Sequence, residues 1–253
     1  MTEWPSLAPR AAAAPRARML WAQTRVELLL MLRNGEQVLL TLIIPLGLLV
    51  VLSQVPVIDV TGRRVDFFVP GILALAVMST AFTGQAIGTG FERQYGVLKR
   101  LGATPLPRSV LLLGKTSAVL LVEVLQVALI SAVGLALGWE PHGSVPGVVL
   151  LIAVGTAAFA GLGLLLGGTL RGLTTLAAAN LLWFVLLALG GVLFPLSRYG
   201  GAADALQWLP SGALSDGLRQ LLQHGSLVGQ DLLALVLWAA AGLTAAARLF
   251  RWE

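Results

Sequence analysis

Six long apolar runs constrain this chain more than any other feature: about 37–54, 67–89, 109–137, 145–169, 173–194 and 231–248. The hydrocarbon core of a bilayer is about 30 Å thick and takes roughly 20 apolar residues to cross as a helix. Each run reaches or nearly reaches that length. None shows the alternation of a membrane-barrel strand, so all six are expected to be helices. The first run is short and holds Pro45, which predicts a kink.

Little sequence is left for a soluble domain. Of 253 residues, 57% are hydrophobic and only 11% charged, where a soluble domain has about 25% charged. The expected fold is an all-α integral membrane protein with six transmembrane helices over 37–253, preceded by a tail and an amphipathic helix over 1–36. The first 35 residues carry Glu3, Pro5, Pro9, Pro15 and several arginines, with no apolar core ending at a small-residue cleavage site, so no signal peptide is read there. The absence of cysteine excludes disulfides, thiolate metal sites and a lipid-modified cysteine.

A net charge of +5 would suggest nucleic acid in a soluble protein. Here the basic residues flank the apolar runs and orient the chain instead, and no nucleic-acid partner is implied. Six crossings put both ends on one side. Thirteen lysines and arginines fall on that side, against Arg63, Arg64, Arg198 and Arg219 on the other. Positive charge marks the cytoplasmic face, so both termini are expected there, with the loop between the second and third runs as the main cytoplasmic loop.

Two further segments are amphipathic without being long enough to span. Over 17–34, Arg18, Arg25 and Arg33 recur at near-heptad spacing opposite Leu20, Trp21, Leu28 and Met31, as in a helix lying at the cytoplasmic interface. Over 206–223, Leu209, Leu214, Leu218 and their neighbours form an apolar stripe, and Gln207, Ser211, Ser215, Arg219 and Gln223 a polar one. That helix belongs at the outer surface or dips partly into it. Packing against the edge of the bundle is the plainer alternative for both.

Motifs for chemistry are thin. Gly114-Lys115-Thr116-Ser117 resembles the end of a phosphate-binding loop, but Ser109 stands where the leading glycine should be, and Val110-Leu111-Leu112-Leu113 cannot form a glycine-rich turn. Lys115 is expected to snorkel to the cytoplasmic surface. His142 and His224 fall in predicted outer loops, and no metal site follows. A serine protease within the membrane would need a serine and a histidine inside the bundle, and Ser211 and His224 are expected outside it. Within the runs, Glu123 and Gln126 lie three apart on one helix face, and Asn180 is a milder case. Such residues face the interior, a cavity or a partner, either lining a pathway or fixing helix packing. Gly84/Gly88 and Gly163/Gly167 satisfy GxxxG and are read as close packing within one bundle.

The polar stretch FERQYGVLKRLGATPLPR, residues 91–108, interrupts all this oil. A short helix from Glu92 to about Leu101 is expected, ended by Gly102 and followed by a turn at Pro105 and Pro107. On it Glu92, Arg93, Lys99 and Arg100 face water or a partner, while Phe91, Tyr95, Leu98 and Leu101 fit a groove. Composition alone would make it an ordinary basic loop.

The order of residues says more. FERQYGVLKRLGATPLPRSVLLLGK closely resembles the cytoplasmic-loop signature of type-2 ABC transporter permeases, particularly the branch typified by daunorubicin/doxorubicin export permeases. VDFFVPGILAL (65–75) is similar to that family's approach to the second span, and LPSGALSDGLRQLL (209–222) and the terminal RLFRWE to the outer segment and tail of the same branch. The family places another charged residue near Gln94–Tyr95, where this chain has a polar pair.

The resemblance implies a membrane subunit without a catalytic, cofactor or metal site of its own. ATP and Mg2+ would be bound by a separate cytoplasmic ATP-binding-cassette ATPase, present in two copies. Carried over, Glu92, Arg93, Gly96, Leu98, Lys99, Arg100 and Leu101 form the coupling helix, with Thr104 and Pro105 setting its exit. Residues 17–34, with Arg18, Trp21, Arg25, Glu27 and Arg33, correspond to the connecting helix. Leu209, Pro210, Leu214, Leu218 and Arg219 correspond to the outer gate region. The implied activity is export of a drug, antibiotic or lipid-like molecule across a bacterial plasma membrane. A second permease is the other partner, with a homodimer favoured over a heterodimer. A glycan exporter shares the mechanism, and a membrane scaffold or intramembrane enzyme is the alternative of a different class.

Overall fold

The computed structural model describes residues 13–56, 60 and 62–250, apart from the side chains of Glu36 and Gln37. The expected tail up to residue 12 and the last three residues, with Arg251, lie outside the described residues. Among those described, every regular element is helical. They are α1 (Arg16–Arg33), α2 (Leu39–Gln54), α3 (Arg64–Gln94), α4 (Val97–Gly102), α5 (Arg108–Ala136), α6 (Val145–Thr169), α7 (Gly172–Leu189), α8 (Pro210–His224) and α9 (Gly229–Leu249). Five of these, α3, α5, α6, α7 and α9, are long and apolar enough to cross a membrane, and α2 is apolar but shorter. At 1.5 Å per residue α2 spans about 24 Å, less than the hydrocarbon thickness.

The core is built around α3. Its most apolar stretch is 89% buried, whereas that of α7 is 17% buried. Phe68, Val69, Ile72, Leu73, Met78 and Ala81 cover the whole circumference of α3 and are all buried, the pattern of a helix surrounded by others. Glycines bring α6 against it. A Cβ on Gly163 would stand 2.7 Å from the Phe82 carbonyl and one on Gly167 2.6 Å from that of Ala86, while Gly161 meets Leu243 of α9 in the same way. The Gly163/Gly167 pair therefore packs within the bundle, as its spacing suggests. The other pair does not: a Cβ on Gly88 would meet nothing within 4 Å.

Two prolines shape the long helices, and each is answered by a glutamine from elsewhere. The kink expected at Pro45 takes the form of a π-helical turn just before it, Leu39–Ile43. Pro45 has no N–H to offer the carbonyl of Thr41 four residues back. Gln126 of α5 donates to that carbonyl instead, at 2.7 Å. Pro70, inside α3, leaves the carbonyl of Asp66 in the same position, and Gln223 of α8 donates to it at 2.8 Å.

Two expectations are corrected by the ends of helices, and a third by burial. The second run continues as α3 to Gln94, five residues beyond the expected 89, because Gln85, Thr89 and Glu92 are packed inside and do not mark an exit to water. The fifth run stops at Leu189, short of the expected 194, where Gly190 and Gly191 follow and Gly191 takes φ +66°. Residues 190–195 are irregular and lead through Leu196–Ala202 and Ala203–Gln207 into α8. That helix does not lie on the surface. Pro210, Leu214 and Leu218 are buried, and so are Ser211, Ser215 and Arg219 of the opposite stripe.

Candidate functional site

The stretch that interrupts the apolar runs folds as a hairpin of helix ends. Glu92 and Arg93 form the last turn of α3 and not the first of a separate helix, which corrects the expected single helix from Glu92 to Leu101. The break falls at Gly96, with φ +69°, a backbone state open to glycine at little cost. The Gly96 N–H returns to the Arg93 carbonyl at 3.1 Å, and α4 begins at Val97. Thr104 ends it: its hydroxyl donates to the Leu101 carbonyl at 2.6 Å and accepts from the Leu106 N–H at 3.4 Å. Pro107 then precedes α5.

Leu98 holds α4 to the bundle. It is fully buried in a small apolar cluster with Leu111 of α5, Leu164 of α6, Ala246 of α9 and Phe250. Leu98 thus points inward and is not available to a partner's groove, as the helical spacing had suggested. Tyr95, Val97, Lys99 and Arg100 are exposed, and Tyr95 stacks on Phe91 with ring centroids 6.0 Å apart. Gln94 turns toward α7, where only a glycine at 172 leaves it room.

Glu92 and Arg93 are tied inside, in opposite directions. Arg93 donates to the carbonyls of Gly168 and Leu170 at 3.3 and 3.2 Å, at the end of α6 where such groups lack helical partners. Glu92 meets Lys115 at 2.7 Å, and Lys115 in turn meets Glu27 of α1 at 2.8 Å. Gln23 steadies Glu27 from one turn away, at 2.7 Å. Lys115 is only 5% exposed, so it does not snorkel to water. It is the centre of a clasp joining α1, α3 and α5. Gly114 beside it allows the contact, since a Cβ there would stand 2.6 Å from Gln23. The glycine-lysine pair that looked like a nucleotide loop is a packing device.

On α1 the other residues of the expected connecting helix, Arg18, Trp21, Arg25 and Arg33, are exposed, and Glu27 alone of the group turns inward. A groove of about 410 Å³ runs between α1 and the Thr104–Pro105–Leu106 turn, lined on the helix side by Met19, Ala22 and Val26.

The polar residues inside the runs separate into two kinds. Glu123 is 1% exposed and accepts a hydrogen bond from Thr156 of α6. Gln126, equally buried, bonds Thr80 of α3 as well as the Thr41 carbonyl. Both therefore bridge helices. Asn180 is exposed on α7, among Leu173, Leu181 and Phe184.

At the far end of α3 a second buried cation has no carboxylate within bonding reach among the described residues. Arg219 of α8 donates to the carbonyls of Gly191, Val192 and Phe67 at 2.6, 2.7 and 3.4 Å, and its guanidinium lies 4.1 Å from the centre of the Phe67 ring. Ser215 takes the Gly190 carbonyl at 2.7 Å. The polar stripe of α8 is thus the partner of the broken end of α7. Burial lowers Arg219 to about 10, with Asp216 opposing the shift. Burial raises Asp216 above the usual carboxylate range, opposed by Arg219 and by the Gln207 amide 3.0 Å away. Sequence reasoning placed Arg219 among the outer surface charges and left Lys115 unpaired. The signal for both lay in backbone breaks and in residues far away along the chain.

Comparison with known proteins points to membrane transport. A family model described as "ABC-2 type transporter" matches residues 18–220. Over 230 residues the chain is 26% identical to "Putative transport permease YvfS" of Bacillus subtilis (strain 168), covering 86% of this chain and 91% of that protein.

Proposed function

This chain belongs to the ABC-2 type transporter family and is a multi-pass membrane transport permease, and on that premise we propose that it exports a hydrophobic or amphipathic molecule across a bacterial plasma membrane. A separate ATP-binding-cassette ATPase supplies the free energy, two copies serving two permeases. Both termini and α4 lie in the cytoplasm, which agrees with the distribution of lysine and arginine. The short α2 makes the sixth crossing, helped by local thinning of the bilayer. A second copy of this chain sits against the exposed face of α7, where Asn180 gains a partner away from lipid. Drug, antibiotic or lipid-like cargo fits the likeness of 91–115 to the drug-export branch.

One observation carries this reading: α4 is seated by Leu98 on α5, α6 and α9 and follows directly on α3, whose Glu92 is linked to α1 through Lys115, yet it keeps Arg100 on its exposed face. A push on that face reaches most of the bundle at once. ATP binding closes the ATPase pair, α4 moves with it, and the paired bundles open an outward route. By linkage, cargo must alter nucleotide turnover as nucleotide alters cargo binding.

Arg100→Glu tests the docking. It is expected to weaken co-purification with the ATPase, or cargo-stimulated ATP hydrolysis, by about tenfold, while thermal stability stays within about 1 kcal/mol. Unchanged association and stimulation would sink the reading. Reversal at Glu92 or Arg93, the choice the sequence suggests, breaks internal contacts and reports on folding instead.

A further inference from the structure

Between α1, the last turns of α3 and the start of α5 lies a cavity of about 420 Å³. From α3 it receives Gln85, Gly88, Thr89 and Glu92, spaced i, i+3, i+4 and i+7 on one helix face. From α1 it receives Glu27, Leu30, Met31 and Asn34 at the same spacing. Lys115 and Val119, one turn apart on α5, complete the wall. Two matched faces therefore look at each other across an open space, whereas α6 packs on α3 to backbone contact at Gly163 and Gly167.

Two polar side chains on its wall lack partners. Gln85 is 6% exposed, and neither its amide oxygen nor its nitrogen has a hydrogen-bond partner; the hydroxyl of Thr89, 1% exposed, has none either. Buried polar groups almost always find partners. Two neighbours without any, one turn apart on the cavity wall, are groups that a turn of each side chain would offer to a ligand there. Gly88 between them keeps the floor open, since a Cβ there would meet nothing within 4 Å.

Charge narrows the class. Lys115 stands between two carboxylates, Glu27 and Glu92, so the clasp leaves one negative charge in excess on the cavity wall. Arg33 lies on the exposed rim, where water screens it. Leu30, Met31 and Val119 make the remaining surface apolar. An excess anion on a partly exposed wall attracts a cation that comes close to it.

We propose that this cavity binds the ammonium end of an amphipathic amine, its nitrogen against Glu92, with Gln85 and Thr89 turning to meet it and its apolar body along Leu30, Met31 and Val119. As a loading site for cargo the proposal rests on the exporter reading; as a binding site it stands without it. The occupant touches Glu92, five residues before α4, so its arrival competes with Lys115 for that carboxylate and is felt where the helix hairpin begins.

The full-length chain, purified with its ATPase in neutral maltoside detergent, provides the test, with dodecylammonium as probe and dodecanol as its uncharged counterpart. Dodecylammonium is expected to bind about tenfold more tightly than dodecanol. Gly88→Leu, which fills the cavity without touching an ion pair, should reduce the ratio to about one. Gln85→Leu should do the same, and it serves if the bulkier variant fails to elute as a folded protein. No preference in the native chain, or a preference that survives both substitutions, overturns the proposal. Failure of the chain to associate with the ATPase sinks the exporter reading alone and leaves the amine preference standing. A second arm identifies the source of the ammonium. Stabilisation in phosphatidylglycerol nanodiscs that requires added phosphatidylethanolamine, and is lost in Gly88→Leu, assigns the site to a lipid headgroup. Dodecylammonium binding that is indifferent to that lipid assigns it to a free amine.

Discussion

Lys115 and Arg219 are both cations buried in the same bundle, toward opposite ends of α3, and they are neutralised in opposite ways. Lys115 sits between two carboxylates from two other helices. Arg219 donates to three backbone carbonyls and lies over an aromatic ring, with Asp216 only a weaker influence. Carbonyl dipoles cannot be protonated, exchanged or drawn away by a passing ion. Carboxylates can. The Arg219 end is therefore a fixed fastening that closes the broken tail of α7, whereas the Lys115 end is a fastening that chemistry can loosen. That division suits the proposed docking, in which an ATPase would push near Lys115.

The sharpest way to break the comparison is at Arg219. Arg219→Met strands three buried carbonyls and is expected to cost about 3–5 kcal/mol, seen as a fall in Tm of about 10 °C and new proteolysis over 190–200. Arg219→Lys should recover less than half, because an ammonium lacks the planar fork that reaches Gly191 and Val192 together. Full recovery by lysine would mean that charge, and not the fork, holds α7.

A smaller effect is expected at the other end. Lys115→Met leaves two carboxylates facing each other, at about 2 kcal/mol, moderated because Glu92 is 21% exposed and can take water. Here the neutral triple variant, Glu27→Gln with Lys115→Met and Glu92→Gln, should regain at least half of that loss in thermal unfolding. A triple variant as unstable as the single one would show that Lys115 acts by packing rather than by charge.

The smallest effect concerns pH at the Arg219 end. Asp216 is held above its ordinary range by burial. A raised folded value means that its contribution is present in full below the unfolded value, about 3.9, and is lost as pH rises through the folded value. Asp216→Asn should therefore flatten the pH profile of Tm across that window by about 2 °C. An identical profile in the variant would mean that Asp216 titrates normally.

The sequence was most legible where composition changes abruptly. The expected fourth run coincides with α6, Val145–Thr169, because Ser144 caps it and a basic turn with Arg171 follows its end. The third and sixth runs agree with α5 and α9 to within two residues at each end for the same kind of reason. Legibility failed wherever a neighbour decides. Apolar residues continue past Leu189, but Gly190 and Gly191 turn the chain, and the carbonyls exposed by that turn are taken by Ser215 and Arg219 of α8. Glu92 and Arg93 read as the start of a separate cytoplasmic helix, but their partners lie within the bundle. Lys115 could be recognised as odd inside an apolar run. That it meets Glu27 and Glu92 depends on α1 folding back along α5, which no spacing reveals.

Pro45 and Pro70 are each half of a two-residue unit whose other half is a glutamine, Gln126 and Gln223, 85 and 157 residues away from the carbonyls they serve. Neither half is intelligible alone. A chain that kept the proline and lost the glutamine would leave a buried carbonyl unpaired, at a cost of about 1–3 kcal/mol. Any redesign that keeps one helix and borrows the next must carry these pairs across together.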